Sequence, residues 1–436
     1  MTEDKRRLGP LDATAVIVGI IIGSGIFLVP ADIARQVKSP SLILGVWLVG
    51  GLLSLLGGLV YAELGSRRPE AGGQYVYLRD AYGPACGFMF SWVLFLVIQT
   101  GSIAAVAVAF IQYLGYFVPI HGPWIKLLAV LTILALSHLN AVSLRSGVTV
   151  QNLFCGLKLL ALFGLIAGGL ATGHADPSHL RGVAPTANLS TLSAVGLALI
   201  GVLWSFDGWN CLSFVSGEVK DPNRSLPLAL VGGITVVTIV YGLANLTYLM
   251  VLGAEGMANA PDGRVASEAA RLFAGPTGAA CIAAGITVST FGCLNGMIMA
   301  APWVYFAVAR DGLFFASFGR FNEETQTPST AIYAQAVWAS LLALSGSYDQ
   351  LFTYVIFVSW IFYVLAITAV YIFRHREGPP AEGQYRTWGY PLTPALFLLA
   401  AFGMLINTVY TQPGPALAGL FITALGLPVY ARFRRR

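Results

Sequence analysis

Charge is scarce in this chain. Its 436 residues include 20 Asp and Glu and 25 Lys and Arg, 10% in all, where a soluble domain carries about 25%. A mean hydropathy of +0.74 points the same way: water is not the solvent for most of this surface. Cysteine is sparse as well. All five (Cys86, Cys155, Cys211, Cys281 and Cys293) fall within or at the ends of apolar stretches. None stands in an outer loop, so no disulfide framework is expected. HExxH, a CxxC pair, a P-loop and a GxSxG elbow are all missing. An enzyme reading therefore has little to stand on, and neither a metal site nor a cofactor is expected. Low-complexity segments are absent, and no separate soluble domain fits between the apolar stretches.

What fills the chain is apolar stretches of about 20 residues separated by polar turns, the pattern of membrane-spanning helices. Roughly twelve are readable, near 11–34, 41–65, 85–117, 124–143, 147–172, 191–217, 226–252, 276–309, 329–346, 350–374, 392–411 and 414–433. The first runs too long for a signal peptide and lacks a small-residue cleavage site. With an even number of spans both termini share one side. Of the 25 basic residues, 18 fall on that side and six on the other, with Lys158 in mid-span. The bias places both termini in the cytoplasm. The basic tail Arg432, Arg434, Arg435 and Arg436 beside a span reads as a topology signal, and no nucleic-acid partner is expected.

Two spans are broken at their middles, about 180 residues apart. The first breaks at Gly23-Ser24-Gly25-Ile26-Phe27, the second at Ser205-Phe206-Asp207-Gly208-Trp209-Asn210. Broken backbone is tolerated in a membrane only where it is buried in protein or lines a cavity. Matching interruptions in two halves of a chain point to a secondary transporter's binding site. The broken spans head two five-span units, about 11–172 and 191–374, followed by two extra spans. Five is odd, so the second unit enters from the opposite side, giving an inverted-topology repeat within one membrane domain. Between spans two and three, Pro69 to Leu78 mixes glycine, aromatics and charge, and reads as a short amphipathic segment lying against the bundle.

The half-helix beginning near Ile26 presents unpaired amides and the positive end of a helix dipole. The half-helix ending near Ile22 presents carbonyls. Side by side they complement a zwitterion, the carboxylate on the amides and the ammonium on the carbonyls. Trp204, Ser205 and Asp207 in the second break offer further carbonyls, and Phe27 and Trp204 are bulky enough to cover a ligand. The competing use of a GxG is close helix packing.

The motifs GSGIF, PEAGGQYVYL, LWSFDGWN…GEVKDPNRSLPLAL, CLNGMIMAAPWVYFAVARDG and VSWIFYVLAITAVYIFRHR resemble, as an ordered set over essentially the whole chain, the amino acid–polyamine–organocation superfamily. Within it the chain looks most like the L-type amino acid transporters and their prokaryotic members, the serine/threonine exchangers among them. The resemblance implies an all-α, leucine-transporter-like fold of about twelve helices with the first and sixth discontinuous. It implies that Gly23, Ser24 and Gly25 bind a substrate carboxylate, and that the carbonyls of Ile21, Trp204 and Asp207 hold its amine. Trp204 matches the family's aromatic gate, and the side-chain pocket would draw on Ser102, Ser359 and Trp360. Human-type members join a heavy chain through a cysteine between spans three and four. Here that loop, Val118 to Pro123, has none, so no disulfide-linked heavy chain is expected.

Lys158 stands about 11 residues from either end of its span, roughly 16 Å from water, too deep to snorkel. A charge there costs at least ~2.5–3.5 kcal/mol unless partnered, so it should face the interior. The resemblance puts it where sodium-coupled relatives hold a cation, reaching the first-span carbonyls and Ser289 or Cys293, and sodium independence would follow. Asp207 reads either as an N-cap for the second half of span six or as a carboxylate that tunes substrate range. Glu63 and Arg67 read as a local i,i+4 pair, and Glu218, Arg310 and Asp311 as rim residues able to form an inner gate. The expectation is a multi-pass plasma-membrane carrier exchanging neutral L-amino acids by alternating access. The alternatives are proton symport through Lys158 and acceptance of cationic amino acids through Asp207.

Overall fold

The computed structural model describes residues 7–181, 188–345 and 348–434. Among these there is no strand, only the isolated bridges Leu8–Val219 and Asn322–Thr327. The helices are α1 (Pro10–Ile21), α2 (Gly25–Val37), α3 (Pro40–Arg67), α4 (Gln74–Tyr82) and α5 (Pro84–Val93). A π-helical turn, Leu94–Ile98, carries α5 into α6 (Gln99–Leu114). Then come α7 (Pro123–Val142), α8 (Leu144–Ala171), α9 (Leu189–Ser205), α10 (Cys211–Phe214), α11 (Pro222–Ala258), α12 (Val265–Ala300) and α13 (Pro302–Arg310). The last are α14 (Ser329–Ser345), α15 (Tyr348–Glu377), α16 (Leu392–Thr411), α17 (Pro413–Ala424) and α18 (Gly426–Arg434). Proline opens many of them, where its missing N–H is an orphan anyway and its fixed φ suits the first turn.

Ten helical runs of the described residues are long and apolar enough to cross a membrane. Where the sequence suggests spans six and nine, the shorter α9 and α14 stand. The bundle closes by α3 lying along α11, α8 along α12, α14 against α7 and α1 against α11. Outward faces are apolar: Leu153, Leu157, Leu160 and Phe163 on α8, and Leu396, Leu399, Phe402 and Ile406 on α16. Polar side chains lie inside, with Gln151, Lys158, Asn245, Ser289 and Asn295 all enclosed. Hydrocarbon as solvent selects this distribution, because a polar group facing lipid finds no partner.

Two local expectations change. The segment after span two forms α4, but Gln74 to Leu78 are all buried, so it packs into the bundle rather than only lying against it. Asn210 Nδ2 donates to Gln74 Oε1 at 3.0 Å, and Arg79 pairs with Asp311 at 2.7 Å. The Glu63–Arg67 pair exists at 3.2 Å, yet Glu63 is held mainly from far along the chain. Arg374 grips both its oxygens at 2.9 and 2.6 Å, and the Thr387 amide adds a third bond at 2.7 Å. Of the basic residues counted for topology, Lys5, Arg6, Arg435 and Arg436 lie outside the described residues.

Candidate functional site

The first break leaves α1 with carbonyls that have lost their helical donors. Each finds another. Lys158 Nζ, fully buried, donates to Gly19 O at 2.8 Å, Ile22 O at 2.6 Å and Ser289 O at 3.0 Å. Cys293 Sγ donates to Ile20 O at 3.0 Å, and Ser289 Oγ donates to Ile22 O at 3.0 Å and Gly23 O at 3.2 Å. Tyr241 OH reaches Ile21 O at 3.0 Å and Ser205 O at 3.1 Å, so one hydroxyl joins both breaks. Lys158, Ser289 and Cys293 thus all donate to carbonyls at the first break.

On the donor side the accounting stays open. The amides of Ser24, Gly25 and Ile26 donate to no carbonyl or side chain of the described residues. Ser24 Oγ is buried and has no partner. Ser24 and Gly25 border a cavity of about 20 Å³ lined also by Ile20, Ile21, Gly23, Ser102, Val106, Trp204, Ser205, Asp207, Cys293 and Met297. That volume suits about one water, so an amino acid enters only when the helices around it part. Unpaired amides inside a membrane cost several kcal/mol unless something anionic completes them, and a helix N-terminus is suited to that task.

The acceptor side differs from the sequence expectation. The Ile21 carbonyl already takes Tyr241 OH and the Gly23 amide, and the Trp204 carbonyl takes the Asp207 amide at 3.0 Å. Of the three carbonyls assigned to a substrate amine, that of Asp207 alone accepts nothing from the described residues. Nor is Asp207 an N-cap. Helix α10 begins at Cys211 with Asn210 at its cap, three residues beyond Asp207, because Gly208 at φ 100° turns the chain first. Its carboxylate instead accepts Tyr363 OH at 2.6 Å, and the residue lines the cavity. Ser102, behind the π-helical turn, also lines the cavity while donating to Ile98 O at 2.7 Å. Ser359 and Trp360 are buried on α15 but do not line it; Trp360 stacks on Phe397 at 5.5 Å.

Both GxG uses are present at once. A Cβ on Gly25 would meet Ser205 Cα at 2.9 Å, so this glycine lets the two breaks touch while its amide stays open. Tyr241, Tyr363, Val106 and Met297 were not legible as site residues. Tyr241 and Asn245 did carry a signal, two polar groups one turn apart in an apolar span, which must face inward. At the α13 rim, Asp311 accepts from Tyr75 OH and Arg79, whereas Arg310 lies over the Phe306 ring. Burial first, and Asp311 second, push the Tyr75 phenol up, which keeps its proton in that bond.

The amino acid permease family profile matches residues 8–431. The chain belongs to this family. The permease is 33% identical over 443 residues to the serine/threonine exchanger SteT of Bacillus subtilis (strain 168), covering 100% of this chain and 99% of the relative. It is 32% identical over 378 residues to the human b(0,+)-type amino acid transporter 1, with 86% and 77% covered. It is also 30% identical over 440 residues to the human large neutral amino acids transporter small subunit 2, with 98% and 80% covered. This permease is thus an all-α, multi-pass membrane protein of a transport family rather than an enzyme family.

Proposed function

We propose that this permease exchanges neutral, small to medium L-amino acids across the plasma membrane without sodium, by alternating access. One observation carries the reading: Ser24 and Gly25, with open amides and the unpaired Ser24 hydroxyl, border a buried cavity between two broken helices, and the open Ile26 amide follows them in the chain. That is a receptor for a carboxylate, with the Asp207 carbonyl left for the amine. Ser102, Val106 and Met297 supply a mostly apolar surround for a neutral side chain. Relatives named as exchangers and transporters of amino acids support the class of cargo.

Sodium independence follows from Lys158, whose ammonium braces the broken helix where a bound cation would otherwise be needed. Its three protons meet three carbonyls, so no coordination is left for an ion. The proposed two-unit architecture is supported by which helices meet: α3 with α11, α6 with α12 and α7 with α14 are the second, third and fourth spans of each unit. Helices related by an axis in the membrane plane meet their counterparts where they lie close to that axis. Both termini are assigned to the cytoplasm by the basic bias. A single chain suffices in this reading, because residues 118–123 lack the cysteine that a heavy chain would use. A second reading, acceptance of cationic side chains, is favoured by Asp207 lining the cavity with only one of its carboxylate oxygens taken by Tyr363 OH.

The test is uptake of labelled serine, threonine, leucine and arginine by the purified chain alone in proteoliposomes. Uptake is expected only into vesicles preloaded with amino acid and unchanged when choline replaces sodium. Concentrative uptake into empty vesicles driven by a sodium or proton gradient would overturn the exchanger reading. Arginine exchange lost in Asp207→Asn would establish the wider substrate range.

A further inference from the structure

At the end of the bundle where α1 begins, a groove of about 550 Å³ opens between residues 7–8, the first turn of α1, the start of α8 and Lys220. Arg7, Arg145 and Lys220 line it, all exposed. Among the described residues none of the three side chains forms an ion pair. The acid in the lining is Asp12, and both its oxygens are engaged. Oδ2 accepts from the Gly9 amide at 3.0 Å, and Oδ1 accepts from Asn152 Nδ2 at 2.7 Å. Four arginines at this end of the bundle behave differently: Arg67, Arg68, Arg79 and Arg374 each hold a carboxylate. Three cations gathered around one spoken-for carboxylate repel one another, and an anion would relieve that.

The groove continues into a surface that only lipid would cover. Along α8, Thr149 and Asn152 in the groove are followed on the exposed face by Leu153, Leu157 and Leu160, and Leu11, next to Asp12 in the first turn of α1, is 84% exposed. From Thr149 to Leu160 the helix rises roughly 16 Å, about one leaflet of a ~30 Å hydrocarbon core. Cations at the head of an acyl-length apolar stripe match an anionic phospholipid better than a soluble phosphate.

We propose that this groove binds the phosphate of an anionic phospholipid, its acyl chains lying on the α8 stripe, and that the bound lipid clamps this end of the transporter shut. The chain before α1 is already zipped to the link after α10. Arg7 N and Leu8 N both donate to Glu218 O at 2.9 Å, and Lys220 N donates to Leu8 O at 2.9 Å. Both broken spans are thereby joined at one end. A phosphate held by Arg7, Lys220 and Arg145 ties that joint to α8, so α1 cannot swing from α8 without releasing the lipid. The clamp rests on the transport reading above; the binding does not, and the two are measured separately.

Binding is read by native mass spectrometry of the full chain titrated with phosphatidylglycerol or phosphatidylcholine. The wild type and a control pair, Arg320→Gln with Arg386→Gln, are expected to retain phosphatidylglycerol about tenfold or more over phosphatidylcholine. Arg7→Gln with Arg145→Gln should lose that preference, and Lys220→Gln, which leaves both helices untouched, should weaken it. Equal retention in the groove variants, or equal retention of the two lipids, overturns the site. Inorganic phosphate that displaces the lipid at low millimolar concentration assigns the groove to a soluble anion and overturns the lipid. The clamp is read as exchange rate in vesicles of rising phosphatidylglycerol content. A several-fold slowing in wild type and control, absent in the groove variants, supports it; identical lipid dependence in all of them overturns it.

Discussion

A single lysine shows how one side chain replaces a missing stretch of helix. The break at Gly23 deprives Gly19 and Ile22 of backbone donors, and Lys158 supplies both, with its third proton on Ser289 O. A neutral amine has only two protons to give, so three carbonyls fit the ammonium. In Lys158→Ala, Gly19 O is orphaned in a dry site while Ile22 O keeps Ser289 Oγ. At about 1–3 kcal/mol for each buried group left unpaired, the variant should still insert but melt earlier and exchange at least about tenfold more slowly. Lys158→Arg should not rescue it, because a planar fork cannot aim at carbonyls converging on one point. Wild-type uptake should vary little between about pH 5.5 and 8, since a brace that keeps its proton carries none across. Uptake climbing as external pH falls, with the climb lost in Lys158→Ala, would make the lysine a proton carrier. The inward orientation of Lys158 was legible in the sequence because a mid-span charge has nowhere else to go. The destination of Asp207 was not: its partner Tyr363 lies 156 residues away, and local spacing suggested a cap.

Between elements, the two breaks depend on each other through Gly25 and Tyr241. Gly25 brings α2 within contact of Ser205 in α9, and Tyr241 on α11 hydrogen-bonds one carbonyl of each break. Tyr241→Phe keeps the ring, which packs on Trp47 and Phe206 at 5.4 and 5.0 Å, and removes only that bridge. Loss of the hydroxyl should cost about 1–3 kcal/mol and lower exchange, with yield and monodispersity on gel filtration unchanged. Wild-type exchange in Tyr241→Phe would show that the breaks move independently. Existence of the breaks was readable because glycine, serine and aspartate interrupt apolar runs, and the observed helix ends at Ile21, Gly25 and Ser205 lie within a residue or so of the reading. Their chemistry was only half readable. Sequence shows which backbone groups a break frees, while three-dimensional packing decides which are taken, and here Tyr241, Cys293, Ser289 and Lys158 take the carbonyls of α1 and leave the amides of α2. A substrate carboxylate therefore finds a prepared receptor, and its ammonium has far fewer open partners in the closed cavity.

For the molecule as a whole, the spans were legible because hydrocarbon imposes length and composition on them, but what ties distant spans together was not. Glu63 is the clearest case. On the sequence it has one visible partner, Arg67 a turn away, yet it is fully enclosed and joins α3 to α15 through Arg374 and to the following link through the Thr387 amide. Arg374 also lies 3.7 Å over the Tyr390 ring, so a single carboxylate organises the end of α15 and the approach to α16. Enclosed ion pairs gain little over an apolar packing of equal volume, but removing one partner strands the other and costs about 3–5 kcal/mol. Glu63→Gln keeps the shape and removes the charge from beneath two arginines. The purified protein should lose several degrees of thermal stability, with or without amino acid present, because the contact lies apart from the cavity. The exposed pair Asp32–Arg35, at 62% and 48% side-chain exposure, is the internal comparison, and Asp32→Asn should shift stability by no more than about 0.5 kcal/mol. Melting both variants in the same detergent decides the matter. Equal midpoints would mean that the Glu63 cluster decorates the fold, and a drop confined to Glu63→Gln would mean that it fastens one end of the bundle.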